Sequence, residues 1–190
     1  MKNKNKIIIW LAFALLVLLQ LWVPASVIRK KEDILSTGTA FKFRTAPRDP
    51  NDYLRGKYVF LNFNETAYTI TNGKNFENGQ LIYVTVGTDS AGFAKIIAVS
   101  DNEKDAPENH IKTLVNYTDY ADPKKIFVQW PFERFYMEES KAPLAEEAYN
   151  ETRVDSSIIS YALVKVKYGD AVLENVYIDN KPIDEYIKKK

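Results

Sequence analysis

The sequence predicts a mainly β protein of the β-rich α+β kind: an N-terminal transmembrane helix followed by an antiparallel β-sheet or barrel-like domain with short helices. Three observations predict it. No charged residue occurs between Ile7 and Ile28. The chain carries 12 tyrosines and 10 phenylalanines, residue types that favour strands. Several later segments alternate apolar and polar residues between clusters of Gly, Asn, Asp and Pro, the pattern of strands joined by turns.

Taken in order, residues 1–28 read as a membrane anchor, 29–38 as a juxtamembrane linker, 39–187 as the β-rich domain and 188–190 as a basic tail. The run Ile7 to Val23 is apolar except for Gln20. As a helix it is about 26 Å long, and Pro24 and Ala25 extend it toward the roughly 30 Å of a hydrocarbon core. Trp10 and Trp22 lie near its ends, where amphipathic rings favour the interface. Residues 7–25 are therefore expected to engage the lipid bilayer. Val23-Pro24-Ala25 before Ser26 resembles a signal-peptide cleavage site, but the run exceeds the roughly 7–15 residues of a cleaved signal. Arg29, Lys30 and Lys31 read as a stop at the far interface. An uncleaved anchor is expected, with its short basic tail in the cytoplasm and the domain outside.

The stretch from Phe43 to Phe63 concentrates local signals. Ala40 to Thr45 reads as a strand that ends before Pro47. Asp49-Pro50 is a helix start: the carboxylate accepts first-turn amides, and proline at the first helical position loses no bond. Asp52 adds negative charge to that turn, and Gly56 fits a left-handed stop. From Lys57 the period becomes two, placing Tyr58, Phe60 and Asn62 on one face and Val59, Leu61 and Phe63 on the other.

Glu65 to Ile70 reads as the next strand. Leu81 to Val86, a turn at Thr88 to Gly92, and Phe93 to Val99 form a hairpin. Ser100 to Asn109 is a charged loop. His110 to Tyr117 and Ile126 to Met137 are strands, and Ala142 to Tyr149 is a short surface helix. Ile158 to Tyr168 and Ala171 to Ile178 form a second hairpin about Gly169-Asp170, with Val164, Val166 and Tyr168 inward and Lys165 and Lys167 outward. Asp179-Asn180-Lys181-Pro182 turns the chain again.

Composition narrows the chemistry. There is no cysteine, which removes disulfides, thiol catalysis and thiolate metal sites together. The 26 basic and 25 acidic residues are interspersed and give a net charge of +1, so nucleic acid is not an expected partner. His110 is the only histidine, which leaves no His-based metal cluster and no choice of base for a triad. Beside a polar loop it is expected to be exposed. No metal and no cofactor are expected.

Arg55-Gly56-Lys57-Tyr58-Val59-Phe60-Leu61-Asn62-Phe63 resembles the signature that gives the GDYXXLXY family of bacterial membrane-anchored proteins its name. Gly56, Tyr58 and Leu61 match, whereas Lys57 stands in place of the aspartate and Phe63 in place of the last tyrosine. Thr45-Ala46-Pro47, Asp49-Pro50, Glu133-Arg134-Phe135-Tyr136 and Val176-Tyr177-Ile178-Asp179-Asn180-Lys181-Pro182-Ile183 are also similar to that family. The resemblance spans the N-terminal anchor and most of the region after it, and it implies neither catalysis nor a cofactor.

Arg44, Asp49, Asp52, Arg55 and Tyr58 are the candidate binding residues, a polar group at the mouth of the domain. The competing account is that the aspartates cap a helical turn and the arginines balance them. Trp130, Phe132, Phe135 and Tyr136 form an aromatic group that is either core or a platform for a peptide or sugar. The expected function is a non-enzymatic binding or adaptor module for a membrane or envelope partner, such as an integral membrane protein. The alternative is a membrane-tethered hydrolase in which Ser156, Ser157 or Ser160 meets Lys165 or Lys167.

Overall fold

A computed structural model describes residues 2–46, 58–71, 73–122, 124–138, 140–151 and 158–189. The apolar N-terminal run forms helix α1 (Lys2–Thr37). It is apolar on all sides, and Ile7, Trp10, Leu11, Leu18 and Trp22 are each more than half exposed. Residues 6–37 contain a segment long and apolar enough to cross a membrane. The helix does not stop at the basic residues but continues through the segment read as a linker. It ends where Thr37 Oγ1 donates to the Asp33 carbonyl (2.8 Å) and the Gly38 amide to that of Ile34 (2.8 Å).

The last turns of α1 are docked on the domain. Ile34 is buried. Lys30 Nζ lies 2.6 Å from the Asp170 carboxylate. Lys167 Nζ donates to Asp33 Oδ2 (2.7 Å) and to Thr37 Oγ1 (2.8 Å). At Gly38 a Cβ would stand 2.5 Å from the Ile34 carbonyl oxygen and 3.1 Å from that of Val166, so only glycine lets helix and sheet approach this closely.

From Gly38 the chain enters β1 (Thr39–Ala46), which pairs antiparallel with β10 (Ser160–Lys167); β10 pairs with β11 (Asp170–Ile178), and β11 with β12 (Lys181–Pro182). The expected strand from residue 57 to 63 is divided. Its first part, β2 (Tyr58–Phe60), pairs with β9 (Arg134–Tyr136), whereas β3 (Asn62–Phe63) pairs with β1. Leu61 sits at the change of partner, fully buried, with its amide donating to the Glu133 carbonyl (2.8 Å). The first sheet thus has the order β12-β11-β10-β1-β3, and β2-β9 is a separate ribbon.

The second sheet has the order β4-β8-β7-β5-β6, from β4 (Ala67–Thr69), β5 (Leu81–Thr88), β6 (Ala94–Ser100), β7 (His110–Thr118) and β8 (Lys125–Gln129). Its two edges approach each other. Glu65, just before β4, accepts the Ile96 amide of β6 (2.9 Å), and its own carbonyl accepts Trp130 Nε1 (2.7 Å). This near-closure gives the barrel-like form, because an edge amide that would otherwise await another strand is satisfied internally. The expected strand 126–137 breaks into β8 and β9, as Pro131 has no amide to offer a ladder. The two sheets meet where Gly169 bridges Ile111 and accepts the Lys112 amide (2.8 Å).

One continuous core joins these layers, including Phe41, Phe43, Val164 and Val176 from the first sheet and Ile82, Val84, Val115 and Val128 from the second. The Phe43 ring meets Phe63, Trp130 and Phe132 edge-on at centroid distances of 5.8, 5.0 and 5.0 Å. Helix α2 (Ala142–Glu151) covers the expected 142–149 segment, but it is more than a surface element. Ala145, Ala148 and Tyr149 are buried on one stripe. Helix α3 (Ile183–Tyr186) and the 3-10 turn Ile187–Lys189 add Ile183 and Ile187 to the core. Another 3-10 turn, Glu103–Asp105, lies within the expected loop, where the Asn102 side chain accepts the Lys104 amide (3.1 Å).

Candidate functional site

Of the five candidate binding residues, Arg44 is fully described. It is exposed on β1 with its guanidinium 4.2 Å above the Phe93 ring. Asp49, Asp52 and Arg55, with the expected helical turn between them, lie outside the described residues. Tyr58 is placed through its backbone, opposite Tyr136 in the β2-β9 ribbon.

Arg44 belongs to a run of rings and cations on the outer face of the first sheet. Phe93 meets Tyr161 edge-on at 6.0 Å, and Tyr161 stacks on Tyr177 at 5.0 Å with planes 6° apart. Lys42 lies over Tyr161 at 5.2 Å. The Tyr161 hydroxyl is held above its ordinary pKa, first by burial and then by Tyr177. Arg44 covers Phe93 and Lys42 covers Tyr161, so the arrangement caps one side of the β1–β10 pair.

The remaining candidates separate into structural roles. Trp130 and Phe132 are core residues, Phe135 packs against the core and Tyr136 is exposed. His110 is buried, contrary to the expectation of exposure. Loop 100–109 and the β10–β11 turn cover it: Nδ1 donates to the Pro107 carbonyl (2.6 Å), its ring meets Tyr83 at 5.7 Å, and Nε2 faces Gly169 without a hydrogen-bond partner. Ser160 is also buried and receives a hydrogen bond from Thr45 Oγ1 (2.8 Å). It shares β10 with Lys165, five residues or about 17 Å along the strand. Lys165 approaches Glu174 (4.0 Å) and Lys167 contacts Asp33, so Ser160 meets neither lysine. Ser156 and Ser157 lie outside the described residues.

An exposed face that the sequence did not single out lies on the second sheet. Leu81 pairs with Leu114, and both are exposed. Tyr117 stacks on Phe127 at 4.3 Å, with Lys125 5.4 Å above the Phe127 ring. Leu114 and Tyr117 are three residues apart and would face opposite ways on a regular strand. The irregularity between Val115 and Tyr117 inserts one residue and returns Tyr117 to the face of Leu114. The signal in the sequence was the odd spacing of Leu114 and Tyr117, legible only once the bulge is known.

The family model described as GDYXXLXY protein matches residues 20–176, from the apolar half of α1 to within β11. The chain belongs to the GDYXXLXY family. No curated protein and no solved structure matched it. Within the GDYXXLXY signature, Leu61 and the residue at its last position, Phe63, are buried in the core at the strand that changes partner. Those two positions of the signature therefore serve packing. Gly56 and Lys57, the latter replacing the signature aspartate, lie outside the described residues.

Proposed function

We propose that this GDYXXLXY protein is a membrane-anchored binding or adaptor module without chemistry of its own. In this reading a single uncleaved span holds it, with the N-terminus cytoplasmic and the β-rich domain extracytoplasmic, and the domain engages a membrane or envelope partner. The observation that carries the reading is α1. A helix apolar on every face is stable only inside a protein core or in lipid, and this one has no buried residue in its apolar window while its last turns are tied to the domain. Lys2, Lys4 and Lys6 precede the span and Arg29, Lys30 and Lys31 follow it, so the basic residues that set orientation are balanced, and the cytoplasmic start is proposed on the reading of the N-terminal segment as an uncleaved signal-anchor.

Engagement of a partner is supported by the face where Leu81, Leu114 and Tyr117 remain in water, with Phe127 half-buried beneath Tyr117. The test is chemical cross-linking in intact membranes, followed by mild-detergent purification of wild type and of a Leu114→Asp, Tyr117→Ser variant. The expected result is one membrane or envelope protein cross-linked to wild type and lost from the variant, with unchanged circular dichroism. Equal recovery from both, or recovery of the protein alone, would overturn the reading.

A further inference from the structure

The hairpin tip between β10 and β11 combines two features that packing within the domain leaves unexplained. Tyr168 and Gly169 are its two central residues, with φ of 46° and 83°, and Lys167 pairs with Asp170 across them. Two positive φ values make a tight turn of the type that prefers Asn-Gly, because a bulky side chain in the left-handed region is strained. The neighbouring β11–β12 turn follows that preference with Asp179 and Asn180, at φ of 50° and 59°. Tyr168 does not, and its ring is 64% exposed, with the Lys167 ammonium 5.8 Å away. A strained backbone bearing an unburied aromatic is an outlier that calls for a use outside the fold.

Its position supplies that use. Asp170 is bonded to Lys30 and Lys167 to Asp33, so the residues on both sides of Tyr168 and Gly169 are tied to the stretch of α1 just past its apolar run. Lys30 is five residues beyond the 7–25 segment, about 7.5 Å along the helix axis. Helix side chains lean toward the N-terminus, here toward the apolar end. The headgroup layer extends roughly 5–7 Å beyond each side of the hydrocarbon core, which places the tip at headgroup level whenever α1 spans the bilayer.

We propose that the tip Lys167–Asp170 is a second membrane contact, with the Tyr168 ring seated in the headgroup interface of the bilayer that α1 enters. The phenol has its apolar body toward the chains and its hydroxyl toward water, the arrangement that enriches tyrosine at interfaces. Together with the helix it makes a two-point attachment that fixes the rotation and tilt of the domain over the membrane.

The proposal rests on the membrane reading of α1, and the test separates the two. The chain has no cysteine, so a nitroxide can be placed singly at Leu16→Cys, Tyr168→Cys and Tyr120→Cys in the full chain reconstituted into phosphatidylcholine–phosphatidylglycerol vesicles. Tyr120 is 102% exposed. It lies past the end of β7, ten residues from His110, or about 30 Å along the chain from the Gly169 contact. Accessibility to oxygen, which concentrates in lipid, is compared with accessibility to a water-soluble nickel chelate. The expected order is lipid at Leu16, interface at Tyr168 and water at Tyr120. Lipid at Leu16 with Tyr168 indistinguishable from Tyr120 would overturn the second contact alone. Water at Leu16 would overturn both readings. Protection of Tyr168 from both reagents would assign the tip to a contact with another copy of the chain.

Discussion

At the scale of single residues, the most consequential polar group is the Tyr149 hydroxyl. Burial pushes it up to about 12, against hydrogen bonds with Thr45 and the Asn62 backbone that act in the other direction. Removing the hydroxyl in Tyr149→Phe is expected to cost about 1 kcal/mol at neutral pH. The pH dependence has a definite sign. The native state holds this proton more tightly than the unfolded chain, whose tyrosine titrates near 10.0. Its contribution is therefore complete below that value and is lost as the pH rises toward 12, a loss of about 2–3 kcal/mol. Denaturant unfolding from pH 9 to 12 should show this slope in wild type and a shallower one in Tyr149→Phe. Residue-scale burial was legible in the sequence where it follows alternation, as at Val164 and Val166. It was not legible for His110, which loop 100–109 and Gly169 bury from outside its own strand, nor for Tyr168, which the tight turn carries out of the inward row.

At the scale of elements, the β10–β11 hairpin holds the balance between local strain and docking. Tyr168→Asn keeps the turn and suits its left-handed backbone better. It should raise the stability of the detergent-solubilised protein by about 0.5–1 kcal/mol, read as a higher thermal midpoint. A lower midpoint would mean that the ring contributes to the fold itself. The clasp to α1 titrates in acid. The hydrogen bond from Lys167 holds Asp33 below its ordinary 3.8. A depressed carboxylate contributes above its unfolded pKa and loses that contribution as the pH falls through the native one. Spin labels on α1 and β11 should give a narrow distance distribution at pH 7 that broadens in acid, and Lys167→Met should already be broad at pH 7. Strand identities and turn positions were readable from period and turn residues, and α2 was readable from its N-terminal proline and length. The division of 57–63 between β9 and β1 was not, because both halves continue one alternating pattern and only their distant partners differ. The break at Pro131 carried a local signal in the missing amide, and the bulge that aligns Leu114 with Tyr117 carried almost none.

At the scale of the molecule, a β-rich domain continues directly from a long apolar helix with no flexible joint between them. Ile34 and Gly38 make that junction close, and the Lys30–Asp170 and Lys167–Asp33 pairs orient it. In the proposed membrane-anchored state, a helix continuous with the domain sets both its height and its pose, which suits the proposed recognition of a partner fixed in or near the same bilayer. Within the family signature, Leu61 and Phe63 are buried where the chain passes from pairing with β9 to pairing with β1. The measurement that bears most directly on the account is a topology reporter fused after Lys190 in living cells. With the domain extracytoplasmic, a reporter active only outside the cytoplasm is active there and one active only inside is silent. The reverse pattern would contradict that placement.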